Sequence, residues 1–200
     1  YDIIYSTSQY GGLKVTYNGG IDWNNIKPVN YQGSWVTPYK IHPNNNNLMV
    51  VGYDEVYRSL TAGAVWDSVS YNVSGGSSVK TIALAASDEN YIYASTYATL
   101  KVTTDAGLSW TSIKAGLPNY NITDIAVSSS NPDHIWVTFS EYGAAHKVYE
   151  SINGGLNWVN ITANGLPNLP VNCIIYQAGA NDDLYVGTDV GVYYKNNTMT

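Results

Sequence analysis

Cysteine is almost absent from this chain of 200 residues, which contains only Cys173. A single cysteine excludes an internal disulfide, so cysteine usage does not identify the redox compartment of the protein. Cys173 lies within the apolar run 171–175. Because a free cysteine behaves as a small hydrophobic residue, this run predicts a buried thiol in an inner strand.

Charged residues are also scarce, at 12% of the chain, and nine basic side chains face fifteen acidic ones for a net charge of −6. The basic residues form no cluster, so the composition argues against nucleic acid as a partner. No run of about 18 apolar residues occurs, so we expect no membrane-spanning helix. The chain begins inside a strand-like run, 3–6, which is compatible with an earlier signal peptide that has been removed.

No segment shows a helical period, whereas one frame of eight residues occurs four times. The clearest copy is TTDAGLSW at 103–110, and the others are TYNGGIDW at 16–23, SLTAGAVW at 59–66 and SINGGLNW at 151–158. Their closing tryptophans lie 43, 44 and 48 residues apart. A period of about 40 to 50 residues is typical of repeat architectures. Active sites are usually single, so we interpret this repeated frame, or box, as a folding device.

The residues between the boxes also repeat. Each unit contains four short runs of alternating apolar and polar residues, bounded by Gly, Asn and Pro, which predict antiparallel strands. Four short strands per unit of about 45 residues predict the blades of a β-propeller, and hence an all-β fold. We expect one propeller region over 1–200, with a partial blade at 1–30, blades at 31–76, 77–120 and 121–169, and a partial blade at 170–200.

The two partial blades predict that this is a piece of a longer propeller. The first unit supplies the second, third and fourth strands of a blade, and the last supplies the first three, so the two do not sum to one closed blade. About four to five blades are therefore visible. Because propeller repeats bury their faces against neighbours, further blades or domains of the same chain are expected partners.

The frame Ser/Thr-x-Asp-x-Gly-x-Thr/Ser-Trp resembles the Asp-box (BNR) repeat. That repeat occurs in sialidases, sortilin-type propellers, the xyloglucanases of glycoside hydrolase family 74 and a photosystem II assembly factor. The copy at 103–110 matches closely, whereas the other three depart at the acid or before the tryptophan. The runs GLPN, at 116–119 and 165–168, and GTDVGVY, at 187–193, resemble repeats of large secreted proteins of Bacteroidetes-type bacteria. The resemblance implies a propeller but does not select between enzymes and non-enzymes.

Each residue type in the box has a structural role that we expect from its chemistry. Asp105, or Asn in its place, can accept hydrogen bonds from backbone N–H groups two residues further on. The glycine permits a positive φ, and the tryptophan offers a large apolar face to its own or a neighbouring blade. In the families whose Asp-box this frame resembles, the box lies away from the face that binds substrate. The residues assigned this structural role are Asn18, Gly20, Trp23, Thr61, Gly63, Trp66, Asp105, Gly107, Trp110, Asn153, Gly155 and Trp158, and we expect the four tryptophans to be mostly buried.

Catalytic and metal sites find little support in the sequence. A sialidase-like site, by resemblance, needs three arginines, and the chain has only Arg58. A family 74-like glycosidase needs two carboxylates across a cleft, and Asp54–Glu55 is the only adjacent acid pair on an expected loop. The histidines His42, His134 and His146 match no ligand spacing, so no metal is expected. The Gly-rich run 74–78 opens no helix, so no phosphate-binding loop or cofactor is expected.

Loops on the face opposite the boxes are where a propeller binds ligands, and here they carry aromatic and polar side chains that suit stacking and hydrogen bonding. Two function classes stay open. One is a non-catalytic secreted or cell-surface module that binds a glycan or a protein, and the other is a fragment of a family 74-like glycoside hydrolase. The candidate ligand-binding residues are Tyr31, Trp35, Tyr53, Asp54, Glu55, Tyr97, Tyr120, Glu141, Tyr142 and Asp189.

Overall fold

A computed structural model describes residues 2–30, 32–71, 73–162, 165–179 and 182–199 of the chain. These residues form five antiparallel sheets of three, four, four, four and three strands, which we number as blades 1 to 5. The predicted all-β propeller fold is confirmed. In the described part of the chain no helix is long and apolar enough to cross a membrane.

Within each blade the strands follow one another in chain order. Blade 1 contains β1 (Ile4–Ser8), β2 (Gly12–Thr16) and β3 (Asn24–Asn25), with a 3-10 turn at Gln9–Gly11. Blade 2 contains β4 (Tyr39–His42), β5 (Asn45–Gly52), β6 (Val56–Ser59) and β7 (Asp67–Ser68). Blade 3 contains β8 (Thr81–Leu84), β9 (Ile92–Ser95), β10 (Leu100–Thr103) and β11 (Thr111–Ser112). Blade 4 contains β12 (Asn121–Val127), β13 (Ile135–Ser140), β14 (Val148–Ser151) and β15 (Val159–Asn160), and blade 5 contains β16 (Val171–Gln177), β17 (Asp183–Thr188) and β18 (Gly191–Lys195).

The apolar core of the protein lies between blades. One cluster joins Val50 of blade 2 to Ile82 and Ile92 of blade 3, and a second joins Leu100 of blade 3 to Phe139 of blade 4. A third cluster joins blade 4 to blade 5. The second strand of each complete blade is buried on both faces, which explains its nearly continuous apolar sequence. Each sheet therefore depends on its neighbour for burial, as expected of a repeat fold.

The first strands of blades 2 to 5 lie side by side, with β8 between β4 and β12, and β12 in contact with β16. Asp124 connects three of them, because its Oδ1 accepts a hydrogen bond from Thr81 Oγ1 (3.2 Å) on β8 and its Oδ2 accepts one from Ile174 N (3.1 Å) on β16. A β-bulge lies between Ile122 and Asp124 and locally breaks the register with β13. The bulge thus carries a carboxylate that bonds to both neighbouring blades.

The prediction that Cys173 is buried is wrong: its side chain is exposed. It does lie in an inner strand, β16, where Ile174 points into the core between blades 4 and 5. Cys173 and Ile175 share the opposite face of the strand, and both are exposed because no described blade covers that face. The apolar run indicated a strand correctly but did not indicate which of its two faces is packed.

Candidate functional site

The box at 103–110 is a closed set of hydrogen bonds within one turn. The Oγ1 of Thr103 accepts bonds from the N–H groups of Asp105 (3.3 Å) and Gly107 (2.8 Å), and donates to Asp105 Oδ1 (2.7 Å). Asp105 in turn accepts from Ser109 N (2.9 Å) and Ser109 Oγ (2.6 Å). These bonds lower the pKa of Asp105 to about 2, the Ser109 hydroxyl having the largest effect. The carboxylate is thus held ionised by its own turn.

The other three boxes repeat this arrangement with different chemistry. Asn18 and Asn153 each accept a bond from the N–H four residues further on, at 3.0 Å in both boxes. Thr61 accepts the equivalent bond from Val65 N through its hydroxyl, at 2.8 Å. The geometry therefore needs an acceptor at this position and does not need a charge.

We expected Asp105 to accept hydrogen bonds from backbone N–H groups two residues further on, and this expectation is wrong. In the structure Asp105 bonds to an N–H four residues further on, while the hydroxyl that opens the box accepts from the N–H groups two and four residues beyond itself. The reason is the turn itself, in which Ala106 (φ 61°) and Gly107 (φ 99°) are both left-handed. Two successive left-handed residues fold the chain back, so that Ser109 N rather than Gly107 N faces the carboxylate.

The boxes of blades 2, 3 and 4 also contact the preceding blade. The indole Nε1 of Trp66 donates to Ile26 O (2.7 Å), and that of Trp158 donates to Ile113 O (2.9 Å). These carbonyl groups belong to the segments that leave blades 1 and 3, so the tryptophan of one blade is bonded to the blade before it. The box is therefore a joint between blades as well as a turn.

The prediction that the box tryptophans are mostly buried holds for three of the four. Trp66, Trp110 and Trp158 keep only a minor part of their surface exposed, whereas Trp23 is 40% exposed. Trp23 lies in blade 1, which no described blade precedes, and its Nε1 donates to Gly20 O of its own turn (3.1 Å). Because the indole packs on the edge between two blades rather than inside one, one side of the ring stays open to solvent.

The boxes lie at the opposite end of the sheets from the expected binding face. First and third strands run parallel, since both are antiparallel to the second, and each box follows the end of a third strand. The starts of the first strands therefore mark the other face. An open groove of about 380 Å³ lies there, lined by Trp35, Val36, Lys80, Tyr97, Ile122, Thr123 and Asn172.

Two exposed aromatic rings are the main features of this groove. Trp35 is 60% exposed and Tyr97 is 52% exposed. The rings of Tyr10 and Trp35 are nearly perpendicular with their centroids 5.2 Å apart, and the backbone N–H of Tyr10 donates to Trp35 O (3.2 Å). The ammonium of Lys80 lies 4.7 Å from the centre of the Tyr97 ring. Each ring is thus supported by a neighbour while its surface stays accessible.

Polar groups complete the groove. Asn172 Nδ2 donates to Asp189 Oδ1 (2.7 Å), so the predicted residue Asp189 reaches the groove through Asn172. Thr123 Oγ1 donates to Val171 O (2.6 Å) across the boundary between blades 4 and 5. Lys80, Thr123 and Asn172 were not among the sequence candidates. Each lies at or just before the start of a first strand, and that shared position is the signal that identifies them.

Tyr53 does not belong to the binding face, which corrects the expectation for this residue. Its side chain is fully buried, and its hydroxyl donates to Gly11 O (2.6 Å) of blade 1. Burial raises the pKa of Tyr53 to about 12. Tyr31 lies outside the described residues. The remaining candidates lie outside the lining of the groove.

Two carboxylates among these candidates have roles in loop structure. Glu55 Oε2 accepts a bond from the hydroxyl of Ser70 (2.5 Å), and Glu141 Oε1 accepts one from Gly143 N (2.6 Å). Asp54, beside Glu55, is exposed. Tyr120 and Tyr142 are exposed, and Tyr120 packs near His146 with the ring centroids 6.1 Å apart. These residues form separate local contacts rather than one site.

The three histidines are engaged in contacts with other groups. His42 Nε2 lies 3.0 Å from Ala85 O of the next blade, and His146 Nδ1 lies 2.6 Å from Tyr149 Oη. His134 Nε2 lies 2.8 Å from Glu150 Oε1, and this bond is the main reason that the pKa of Glu150 is lowered. Within the described ranges, no group of three or more His, Cys, Asp or Glu residues could hold a metal ion.

Solved structures match nearly the whole chain. A family 74 glycoside hydrolase from Niastella koreensis matches 96% of it with a TM-score of 0.68 and 17% identity. YCF48 from Cyanidioschyzon merolae matches 99% with a TM-score of 0.67 and 16% identity. A structure of YCF48 bound to D1 peptide matches 98% with a TM-score of 0.63 and 14% identity. At these identities the similarity shows the fold alone.

The chain is shorter than the proteins it resembles. It spans 34% of the Niastella koreensis chain, 67% of YCF48 from Cyanidioschyzon merolae and 62% of the peptide-bound YCF48 chain. The described blades thus correspond to part of a larger propeller. No protein-family model matches the chain, and no curated protein matches it.

Proposed function

We propose that this chain is a non-catalytic binding module of a larger secreted or cell-surface protein. Its ligand is a glycan or an extended segment of protein that lies across the groove between Trp35 and Tyr97. The box turns hold the blades together and take no part in binding, since they lie at the other end of the sheets.

The observation that carries this proposal is the pair of exposed rings on one groove. An exposed aromatic face stacks on the apolar face of a sugar ring or on a peptide side chain, and neighbouring polar groups then fix the orientation of the ligand. Tyr10 and Lys80 restrain the two rings before a ligand arrives. Such preorganisation lowers the conformational entropy that binding would otherwise lose.

A glycoside hydrolase is the second candidate function, because the fold is similar to that of family 74 enzymes. That reaction needs two carboxylates about 5 to 10 Å apart across a groove. Here Glu55, Glu141 and Asp189 each accept a hydrogen bond from a group of the protein itself. No Asp or Glu is among the described residues that line the groove, and this composition supports binding without catalysis.

A glycan array and a panel of extended peptides test the proposal, with Trp35→Ala and Tyr97→Ala compared with Tyr71→Ala. Tyr71 is a fully exposed ring outside the groove, so its replacement controls for the loss of an aromatic side chain. We expect both groove variants to lose binding and the control to keep it, with thermal unfolding nearly unchanged in all three. Binding that survives both groove substitutions would refute the site. Release of reducing sugar from xyloglucan, abolished by removing a carboxylate on this face, would instead establish the hydrolase.

A further inference from the structure

The groove that contains Trp35 and Tyr97 also contains a positive charge. The side chain of Lys80 lines this groove, and its ammonium lies 4.7 Å from the centre of the Tyr97 ring. None of the described carboxylates forms an ion pair with Lys80, although the chain as a whole has a net charge of −6. The groove therefore holds a cation that no described acidic side chain neutralises.

Lys80 and Trp35 are positioned by two chain segments that are bonded to each other. The hydroxyl of Ser34 donates to Val79 O (3.1 Å), so the residue before Trp35 is joined to the residue before Lys80. Ser34 and Val79 are both buried, and Thr37 Oγ1 donates to Ser34 O (2.8 Å) within the turn that carries the indole. The backbone positions of the aromatic ring and the cation are thus fixed relative to each other.

The turn that carries Tyr97 is closed by its own hydrogen bonds. The hydroxyl of Thr96 accepts from Ala98 N (3.2 Å) and Thr99 N (3.0 Å), and Thr96 N donates to Thr99 O (3.1 Å). The loops that present the cation and the two rings belong to blades 2 and 3. Each of these blades packs between two described neighbours, and those contacts fix where the three side chains lie.

The groove offers ring faces rather than backbone groups to a ligand. Trp35 O accepts from Tyr10 N (3.2 Å), and Lys80 N donates to Ser95 O (2.7 Å), so both groups are engaged within the protein. A peptide that binds by strand addition would need such backbone groups as partners. A sugar ring instead presents a flat apolar face to an aromatic ring and hydroxyl groups at its edge. These contacts favour a glycan over an extended peptide.

On the basis of the binding function proposed above, we infer that the ligand of this groove is an anionic glycan, whose sugar rings carry a carboxylate or a sulfate. A sugar stacks on an exposed ring, and its anionic group lies beside the ammonium of Lys80. At the blade 5 end of the groove, Asn172 Nδ2 donates to Asp189 Oδ1 (2.7 Å), which leaves Asn172 Oδ1 to accept a bond from a sugar hydroxyl. The carboxylate of Asp189 repels an anion, so the charged group of the ligand belongs at the Lys80 end.

Two matched pairs of glycans test the role of charge: oligogalacturonate with its carboxyl-reduced form, and dextran sulfate with dextran. At low salt we expect the anionic member of at least one pair to bind about fivefold more tightly than its neutral partner, as one partly exposed ion pair allows. The preference should fall below about twofold at about 0.5 M salt, because salt screens an exposed charge pair. Calorimetry measures both affinities, and the pair that shows the preference identifies the anion.

A matched pair of variants locates the charge. Lys80→Met keeps the length of the side chain and removes its charge, and Lys14→Met removes an equal charge from an exposed position on β2, outside the groove lining. Lys80→Met should lose the preference for the anionic glycan and still bind the neutral one, and Lys14→Met should keep the preference. An unchanged preference in Lys80→Met, or tighter binding of polyglutamate than of either anionic glycan, would overturn the inference.

The same measurements separate this inference from the binding function on which it rests. If the charged and neutral glycans bind equally and Trp35→Ala abolishes the binding of both, the groove is the binding site and the inference about charge is wrong. If no glycan and no peptide binds, both are wrong.

Discussion

The indole nitrogen of Trp110 donates to the carbonyl oxygen of Val69 at 2.8 Å, across the boundary between blades 2 and 3. The tip of the same box reaches the same residue, because a Cβ on Gly107 would lie 2.4 Å from Val69 O. Two residues of one box thus converge on one peptide group of the preceding blade. This contact joins the local turn to the packing of whole blades.

The hydrogen bond from Trp110 should have a measurable effect on stability. Trp110→Phe keeps most of the apolar contact but leaves Val69 O without this donor, so we expect a loss of about 1 kcal/mol. Trp110→Ala should lose about 3 kcal/mol, the low end for a buried aromatic, since the ring is only half-buried. Urea unfolding measures both values. Trp23→Ala is the control and should lose less, because Trp23 bonds only to its own turn.

Replacing the glycine at the tip of a box by alanine separates two effects on stability, that of backbone strain and that of steric contact between blades. Gly20 and Gly107 have nearly the same φ, 98° and 99°, so alanine is strained equally at both. A Cβ at Gly20 would meet nothing closer than 3.9 Å, whereas at Gly107 it would collide with Val69 O. We expect Gly107→Ala to be about 1 to 3 kcal/mol more destabilising than Gly20→Ala. Equal losses of unfolding free energy for the two variants, measured in denaturant, would show that the contact between the box and the preceding blade tolerates the added methyl group.

Ala106 holds a left-handed conformation that glycine adopts more easily. Its φ is 61°, close to the 70° of Gly19 at the same place in blade 1. Removing the steric strain outweighs the added freedom of the unfolded chain, so Ala106→Gly should stabilise the protein by about 0.5 to 1 kcal/mol. For the reverse change, Gly19→Ala, the added Cβ would meet no atom within 4 Å, so only backbone strain is introduced. This change should destabilise the protein by a similar amount. A lower melting temperature for Ala106→Gly would contradict this prediction.

The pKa of Asp105 gives the box a defined dependence on pH. Because that pKa is about 2 in the folded protein and 3.8 without its contacts, the ionised carboxylate favours folding above about pH 4. This contribution is lost as pH falls from 4 to 2. Asp105→Asn keeps an acceptor, as at Asn18 and Asn153, and should abolish this part of the pH dependence while retaining ligand binding. Unfolding curves of the wild-type protein and the variant at pH 6 and pH 2 provide the test. If both lose the same unfolding free energy between these pH values, the ionised carboxylate of Asp105 does not stabilise the fold.

The fold was predictable from the sequence because the residues that define the box lie close together in the chain. Hydroxyl, acceptor, glycine and tryptophan lie within eight residues, so their spacing alone predicts the turn and the repeat. The acceptor for the indole of Trp110 was not predictable, since Val69 lies 41 residues earlier and meets it only after two blades have packed. Tyr53 was misplaced for the same reason: its partner, Gly11, belongs to another blade.

The binding groove was only partly predictable. Trp35 is recognisable as an aromatic residue in the predicted loop YQGSW at 31–35, whereas Lys80 and Asn172 stand in ordinary strand starts. Nothing near either residue in the sequence indicates that three blades bring them together. Their proximity depends on the arrangement of the first strands, to which the bulge at Asp124 contributes.

The sharing of each apolar core between two sheets has a consequence for how such a chain can change its length. Duplicating one unit of about 45 residues inserts a sheet and an interface together, so the copy finds the same neighbours as the original. Apolar faces in the interior gain no new exposure, and the box tryptophan of a unit that follows another still meets a carbonyl group of the unit before it, as those of blades 2 to 4 do. Genetic gain or loss of whole units is therefore compatible with this architecture, whereas a duplication that divides a box would separate the indole from its turn.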